Sequence, residues 1–213
     1  LIPFAHVEAG LRRWNFIMPE EVNRKIADAI ATLHFAPTKL SMLNLLFEGV
    51  KPAGIYVTGN TIVDMLYKYK RIAEERGRLL LDEFNLERKK YIVVTVHRSE
   101  NVDNPERLGN IMKALAELSR FYRMIFPVHP HTKRRLNEYG LKRYMRYLLL
   151  TKPLGYLDFL GILLYATAVI TDSGGVQEEA FTLKIPSVIL RYNTDRPETT
   201  IYGLSTVSYT HLR

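Results

Sequence analysis

The sequence predicts an α/β protein of two domains, with parallel sheets covered by helices on both faces. Three observations carry that reading. From residue 91 onward, five apolar, β-branched runs alternate with four amphipathic stretches, which is the rhythm of βαβ units. The same alternation occupies the first 60 residues. Between the two lies a long helical stretch followed by charged residues, which reads as the domain boundary. A chain of 213 residues is also between one and two domains at roughly 150 residues each.

The elements follow in order. The chain opens on Leu1-Ile2-Pro3-Phe4 without an initiator Met, inside what reads as a strand, and is expected to be a fragment of something longer. From Glu20 to Leu33, helical spacing puts Val22, Ile26, Ala29, Ile30 and Leu33 on one face. His34 to Ala36 is a short strand. Thr38 caps a helix that runs to about Glu48 and stops at Gly49. Ile55 to Val57 is a strand, and Thr61 to about Arg76 a long helix, with the charged segment after it reaching Lys90. The second series starts with the strand Tyr91 to Val96. Asn104 caps the helix Pro105 to Arg120, with Pro at its first position. Strand Met124 to Val128, helix His131 to Tyr139 and strand Tyr147 to Leu150 come next. Helix Tyr156 to Tyr165, strand Ala168 to Thr171, helix Val176 to Leu183 and strand Ser187 to Leu190 complete it.

Composition excludes several classes. Apolar residues make up 47% and charged residues 24%, as in globular proteins rather than disordered ones. There is no Cys, so a disulfide framework, an iron–sulfur cluster and a thiolate zinc site are ruled out. The most apolar stretch, Phe159 to Ile170, is shorter than the roughly 20 residues a bilayer span needs. No signal peptide is visible, and a cytoplasmic location without membrane attachment is expected. Thirty Lys and Arg against 22 Asp and Glu give a net charge of +8. The basic runs at 68–78 and 133–146 read as solvated helix faces, and a small anionic ligand such as a nucleotide also suits a positive protein. No nucleic-acid motif accompanies them, and nucleic acid is not expected as a partner.

Four segments carry candidate chemistry. The first is Thr171-Asp172-Ser173-Gly174-Gly175-Val176-Gln177-Glu178-Glu179, which leaves a buried strand and opens a helix. Gly174 and Gly175 let the backbone approach a ligand, Ser173 adds a hydroxyl, and the helix N-terminus favours an anion. Glu178 and Glu179 lie where a carboxylate could accept from ribose hydroxyls. On spacing alone, a phosphate cradle and a plain tight βα turn fit equally well. The segment is neither a Walker A loop nor a dinucleotide fingerprint, so no nicotinamide is implied.

The second segment is His97-Arg98-Ser99-Glu100-Asn101, at the carboxyl end of a strand, where open α/β sheets bind ligands. His97 there could serve as acid, base or phosphate donor, or be an ordinary strand-end imidazole; Arg98 favours an anion. In the third, Glu8 follows a short apolar strand before Gly10, and Glu20 and Glu21 open a helix after Pro19. These carboxylates suit shared acid/base work, and equally suit plain decoration of a helix N-terminus. In the fourth, Arg196 could pair with a phosphate and Glu198 could orient it, with loop charge as the alternative. Pro127-Val128-His129-Pro130-His131 offers two imidazoles without a third ligand, so no metal is expected.

Taken together, the segments HVEAGLR at 6–12, MPEEVNR at 18–24, TGNTIVD at 58–64, TVHRSEN at 95–101, PVHPHT at 127–132, TDSGGVQEEA at 171–180 and RYNTDRPE at 191–198 resemble the non-hydrolysing UDP-N-acetylglucosamine 2-epimerases. They occur in that family's order and span nearly the whole chain. The resemblance implies two Rossmann-like domains facing across a cleft, as in B-type glycosyltransferases. The first domain would be incomplete (1–65), the second would bind UDP (66–207), and 208–213 would be a tail of doubtful origin. It implies a homodimer that takes a UDP-sugar, needs no cofactor and serves polysaccharide biosynthesis. The implied reaction inverts C2 between UDP-N-acetylglucosamine and UDP-N-acetylmannosamine, by eliminating UDP to 2-acetamidoglucal and adding it back.

By the same resemblance, Glu8 and Glu20 have acid/base roles, and His97 lies near the diphosphate with Arg98 beside it. Ser173, Gly174 and Gly175 form the phosphate cradle, and Glu179 holds the ribose. Arg196 and Glu198 stand on the diphosphate side. The family also has an opening Gly-Thr-Arg-Pro-Glu type loop and an Asp in a Gly-Asp-Thr type segment. Both would precede Leu1, so the 213 residues alone are expected to be inactive. The likeness fades after about Thr206. Rival readings are an epimerase acting on a UDP-2,3-diacetamido sugar, a hydrolysing 2-epimerase, and a non-catalytic nucleotide-sugar binding module.

Overall fold

A computed structural model describes residues 2–208 other than 15, 17, 18, 193 and 195. Met18 of the second motif, Asn193 and Asp195 of the last, and residues 209–213 of the tail therefore lie outside the described residues. The chain divides into two compact units, Leu1–Asp64 and Met65–Arg213.

The first unit contains β1 (Ala5–Val7), α1 (Pro19–Ile30), β2 (Leu33–Ala36), α2 (Lys39–Phe47) and β3 (Ile55–Val57). The strands are parallel in the order β1-β2-β3, as the βα rhythm requires. The Thr38 side chain accepts from the Ser41 amide at 3.1 Å and so caps α2. Gly49 ends that helix with φ +89°, a conformation that costs glycine nothing. The core is small: Ala9, Ala36 and Leu45, with Met42, Val50 and Ile55 against them. The apolar face read on α1 is not buried. Val22, Ile26 and Ile30 are exposed, while the buried α1 residues are Glu21 and Asp28.

The helix α3 (Thr61–Glu83) extends well past Arg76. As far as Glu83 the charged segment is helix, with Gly77 and Leu81 buried among its charged residues. The second unit continues with β4 (Tyr91–Thr95), α4 (Ser99–Val102), α5 (Pro105–Leu118), β5 (Arg123–Pro127), α6 (Pro130–Glu138), α7 (Lys142–Met145) and β6 (Leu149–Thr151). Then come α8 (Tyr156–Leu164), β7 (Ala168–Thr171), α9 (Gly174–Thr182), β8 (Ser187–Ile189), α10 (Pro197–Ile201) and β9 (Ser205–Val207). All six strands are parallel, in the order β6-β5-β4-β7-β8-β9. That is the strand order of a Rossmann fold. The sixth strand, Ser-Thr-Val, is absent from the sequence reading because it carries no apolar run.

Alternation along β4 and β5 builds a core on each face. Ile92, Val94, Met124 and Phe126 meet α5 through Leu108, Ile111, Met112 and Leu115. Tyr91, Val93, Ile125 and Val169 meet Leu81 of α3 and Ile162 and Leu163 of α8. Burial on both faces explains why these strands read as continuous apolar runs. Helices α3 and α8 pack backbone to backbone. A Cβ placed on Gly77 would lie 2.6 Å from the Gly161 carbonyl oxygen, and one on Gly161 2.6 Å from that of Ala73. Arg76 holds Asp158 across the same crossing, Nε to Oδ1 at 2.5 Å and Nη2 to Oδ2 at 3.0 Å.

Candidate functional site

In a doubly wound sheet, the crevice opens where the strand order reverses, at the carboxyl ends of the two central strands. Here those strands are β4 and β7. Their ends are joined by a Thr95–Thr171 hydroxyl hydrogen bond of 2.6 Å. The residues that follow them, His97 and Arg98 after β4 and Asp172 to Gly175 after β7, are brought to one place.

Asp172 organises the site. It is fully buried. Its oxygens accept from the His97 amide (2.9 and 3.1 Å), the Arg98 amide (2.9 Å) and the Asn101 side-chain amide (2.9 Å). The His97 Nδ1 lies 3.0 Å from Oδ1. Burial acts to raise the Asp172 pKa, but the His97 hydrogen bond and charge, with the Arg98 amide and Asn101, outweigh it and hold the carboxyl below its ordinary value. Asn101, itself fully buried, also donates to the Leu190 carbonyl at 2.9 Å and so ties the loop to the next strand end. Sequence reasoning passed over both residues, because their partners lie more than 70 positions away. The available signal was an acidic residue wedged between a buried strand and two glycines.

Ser173 caps α9, with its hydroxyl 3.4 Å from the Val176 amide and its own amide on Thr171 Oγ1 at 2.9 Å. Gly174 and Gly175 are not in the left-handed region. They form the first turn of α9, so their contribution is bare backbone with N–H groups that have no intrahelical acceptor. A pocket of about 280 Å³ opens in front of this turn. His97, His129 and Ser173 give it a polar wall, and Pro127, Pro153, Leu154, Phe159 and Val176 an apolar one. An anion at the helix end beside imidazoles, with a flat apolar group against the other wall, matches this lining.

Glu179 is buried, 4% exposed, and receives the Tyr156 hydroxyl. Burial pushes its carboxyl up to about 7, against the pull of that hydrogen bond. The Tyr156 phenol is pushed up to about 12, by burial and by the Glu179 charge. Arg196 pairs with Glu178, Nε to Oε2 at 2.8 Å. Gln177, fully buried, accepts from Thr194 at 2.9 Å and donates to Thr199 at 2.6 Å. This fastens the segment carrying Arg196 and Glu198 to α9. The two imidazoles of the 127–131 segment diverge: His129 caps α6 and lines the pocket, while His131 meets Asp103 at 3.0 Å. Among the described residues, no group of three metal-ligating side chains occurs. No helix among them is long and apolar enough to cross a membrane.

Glu8 and Glu20 belong to the first unit. Glu8 follows β1, half-buried, with φ +64°, a left-handed conformation that a side-chain-bearing residue keeps only when its surroundings enforce it. Hydrogen bonds fix the chain on either side of it. Buried Asp28 accepts from the Gly10 amide (3.1 Å), from Arg12 (2.6 Å) and from His6 (2.5 Å). Buried Glu21 accepts from the amides of Arg13 (3.0 Å) and Trp14 (3.1 Å). Arg12 continues to Glu48, whose pKa it lowers against the opposing effect of burial. Glu20 is exposed in the first turn of α1. The neighbouring glutamates thus differ, one fixing a loop and the other open to solvent.

Residues 1–211 match the family described as UDP-N-acetylglucosamine 2-epimerase. The chain belongs to that family. A UDP-N-acetylglucosamine 2-epimerase of Methanocaldococcus jannaschii is 45% identical over 209 residues, 95% of this chain and 57% of its own length. The crystal structure of a Methanocaldococcus jannaschii UDP-GlcNAc 2-epimerase with UDP-GlcNAc and UDP superposes with a TM-score of 0.89 at 45% identity, covering 97% of this chain and 58% of that one. A UDP-2,3-diacetamido-2,3-dideoxy-D-glucuronate 2-epimerase of Pseudomonas aeruginosa is 37% identical over 95% of this chain and 55% of its own length. The chain therefore spans little more than half the length of these epimerase-family relatives.

Proposed function

We propose that the protein of which these residues form part is a non-hydrolysing 2-epimerase that interconverts UDP-N-acetylglucosamine and UDP-N-acetylmannosamine. The observation that carries this reading is the first turn of α9, with Ser173, Gly174 and Gly175 beside His97 at the switch point of the sheet, in a chain 45% identical to a named 2-epimerase. The diphosphate takes the helix end, with His97 and Arg98 next to it. Uracil takes the wall of Pro153, Leu154 and Phe159, and ribose hydroxyls donate to Glu179. Arg196 and Glu198 stand on the diphosphate side.

In the reaction, a base removes the C2 proton while the C1–O bond to UDP breaks, and the electron pair becomes the C1=C2 bond of 2-acetamidoglucal. UDP oxygen then returns to C1 as an acid delivers a proton to the opposite face of C2. The C2–H is a weak acid, so the leaving diphosphate must be stabilised as it departs. Glu8 and Glu20 are assigned the proton transfers. A homodimer is part of the same reading.

Two measurements test this. The 213-residue chain should bind UDP in a calorimetric titration, and Ser173→Ala should weaken that binding about tenfold, the worth of one or two hydrogen bonds to an anion. The full-length parent, incubated with substrate in deuterated water, should place deuterium at C2; absence of exchange overturns the elimination route. The similarity to the Pseudomonas aeruginosa enzyme favours one alternative substrate, a UDP-2,3-diacetamido sugar acid. Product analysis with both sugars separates the two, and a free sugar product would indicate a hydrolysing enzyme.

A further inference from the structure

The geometry points to Asp172 as the positioning residue for His97: it keeps a proton on Nδ1 and so leaves Nε2 as the one ring atom that can exchange a proton or hydrogen bond with a ligand in the pocket. Asp172 carries no exposed surface, and its carboxylate accepts from the His97 and Arg98 amides after β4 and from Asn101 in α4. An ionised carboxylate only accepts. With Oδ1 3.0 Å from Nδ1, that nitrogen is the donor in both charge states of the ring. A neutral imidazole has a single N–H, so Nε2 then holds the lone pair.

The ring is held at two points. The His97 amide on the same carboxylate fixes the backbone (2.9 and 3.1 Å), and the Nδ1 contact fixes the side-chain rotation. The His97 side chain is 40% exposed and lines the pocket beside Ser173. Nε2 accepts a proton when the ring is neutral and donates to an anion when it is charged. The arrangement is local to the two central strands, so it is present before any ligand arrives. Its use on a diphosphate rests on the function proposed above.

The test is the tautomer itself. In water, imidazole side chains favour the proton on Nε2, so the expected state is the opposite of the default. Long-range proton–nitrogen correlation spectra of the histidine-labelled 213-residue chain, with His97 assigned by the signals lost in His97→Gln, should show a protonated Nδ1 and a bare Nε2. A bare Nδ1 in the unsubstituted chain overturns the inference. Asp172→Asn can keep an acceptor for the backbone amides while turning its NH₂ toward the ring. It should move the proton to Nε2 and weaken UDP binding about tenfold, and an unchanged tautomer overturns the inference. Asn101→Ala removes one donor to Asp172 Oδ2 and the tie to the Leu190 carbonyl, and so loosens the same loop, while the carboxylate oxygen facing Nδ1 is kept. It should leave the proton on Nδ1, and a shift to Nε2 there would make loop packing, not Asp172, the cause. If UDP leaves the His97 signals unmoved while Nδ1 stays protonated, the positioning role stands and the UDP reading fails.

Discussion

Glu179 shows how one side chain links stability to the site. Its carboxyl is pushed from the ordinary 4.5 up to about 7 by burial. Between those two values the folded chain holds a proton that the unfolded chain has released, so stability falls as pH rises through that window and is level above it. The full loss is about 3 kcal/mol at most, at 1.36 kcal/mol per pKa unit. Urea unfolding of the second unit should therefore be easier at about pH 8 than at about pH 5, and Glu179→Gln should flatten the difference. If ribose hydroxyls donate to the ionised form, the same substitution weakens UDP binding. Gly175 sets two requirements against each other. Gly175→Ala should gain about 0.5 kcal/mol in the helix and lose UDP affinity about tenfold, because a methyl group then stands on the turn that the proposed function gives to the diphosphate. Thermal melts and UDP titration of the same variant check both signs.

Among the elements, the crossing of α3 and α8 makes the sharpest forecast. Gly77→Ala and Gly161→Ala would each gain about 1 kcal/mol of helix propensity. Each added methyl, however, meets a backbone carbonyl at 2.6 Å, and backbone cannot rotate away as a side chain can. Overpacking of this kind costs about 1–3 kcal/mol, so both variants should melt lower than the parent protein. The elements that were legible in the sequence share one property: their pattern is local. The strands β4 and β7 are unbroken apolar runs, and the Asn104 and Thr38 caps are single residues beside their helices. What escaped depends on distant partners. The buried side of α1 carries Glu21 and Asp28 because they satisfy the loop at 10–14, so its apolar face pointed the wrong way. The α3 extension hid in charged residues around Gly77 and Leu81. At the site, the glycine-rich turn was visible as a motif, whereas Asp172 and the Tyr156–Glu179 pair emerge only when the sheet order is known.

At the level of the whole molecule, a net charge of +8 favours small anions over long range. UDP binding to the chain should weaken as salt rises from about 0.05 to 0.5 M, because screening shortens that reach. The 213-residue chain should bind UDP yet show no turnover of UDP-N-acetylglucosamine, since it spans 57% of the length of its archaeal relative. Nuclear magnetic resonance of the sugar anomeric signals would record any product, and steady turnover by the chain alone would refute this.

The small core of the first unit has a practical consequence. Ala9, Ala36 and Leu45 are its buried centre, against two full layers around the second sheet. Local opening and protease cleavage concentrate where few apolar groups are buried. A sample nicked by trypsin would lose Glu8 and Glu20 first while the glycine turn of α9 survived. With UDP bound at that turn as proposed, such material would still score as intact in a UDP titration, so binding alone is a poor measure of whether a preparation is whole.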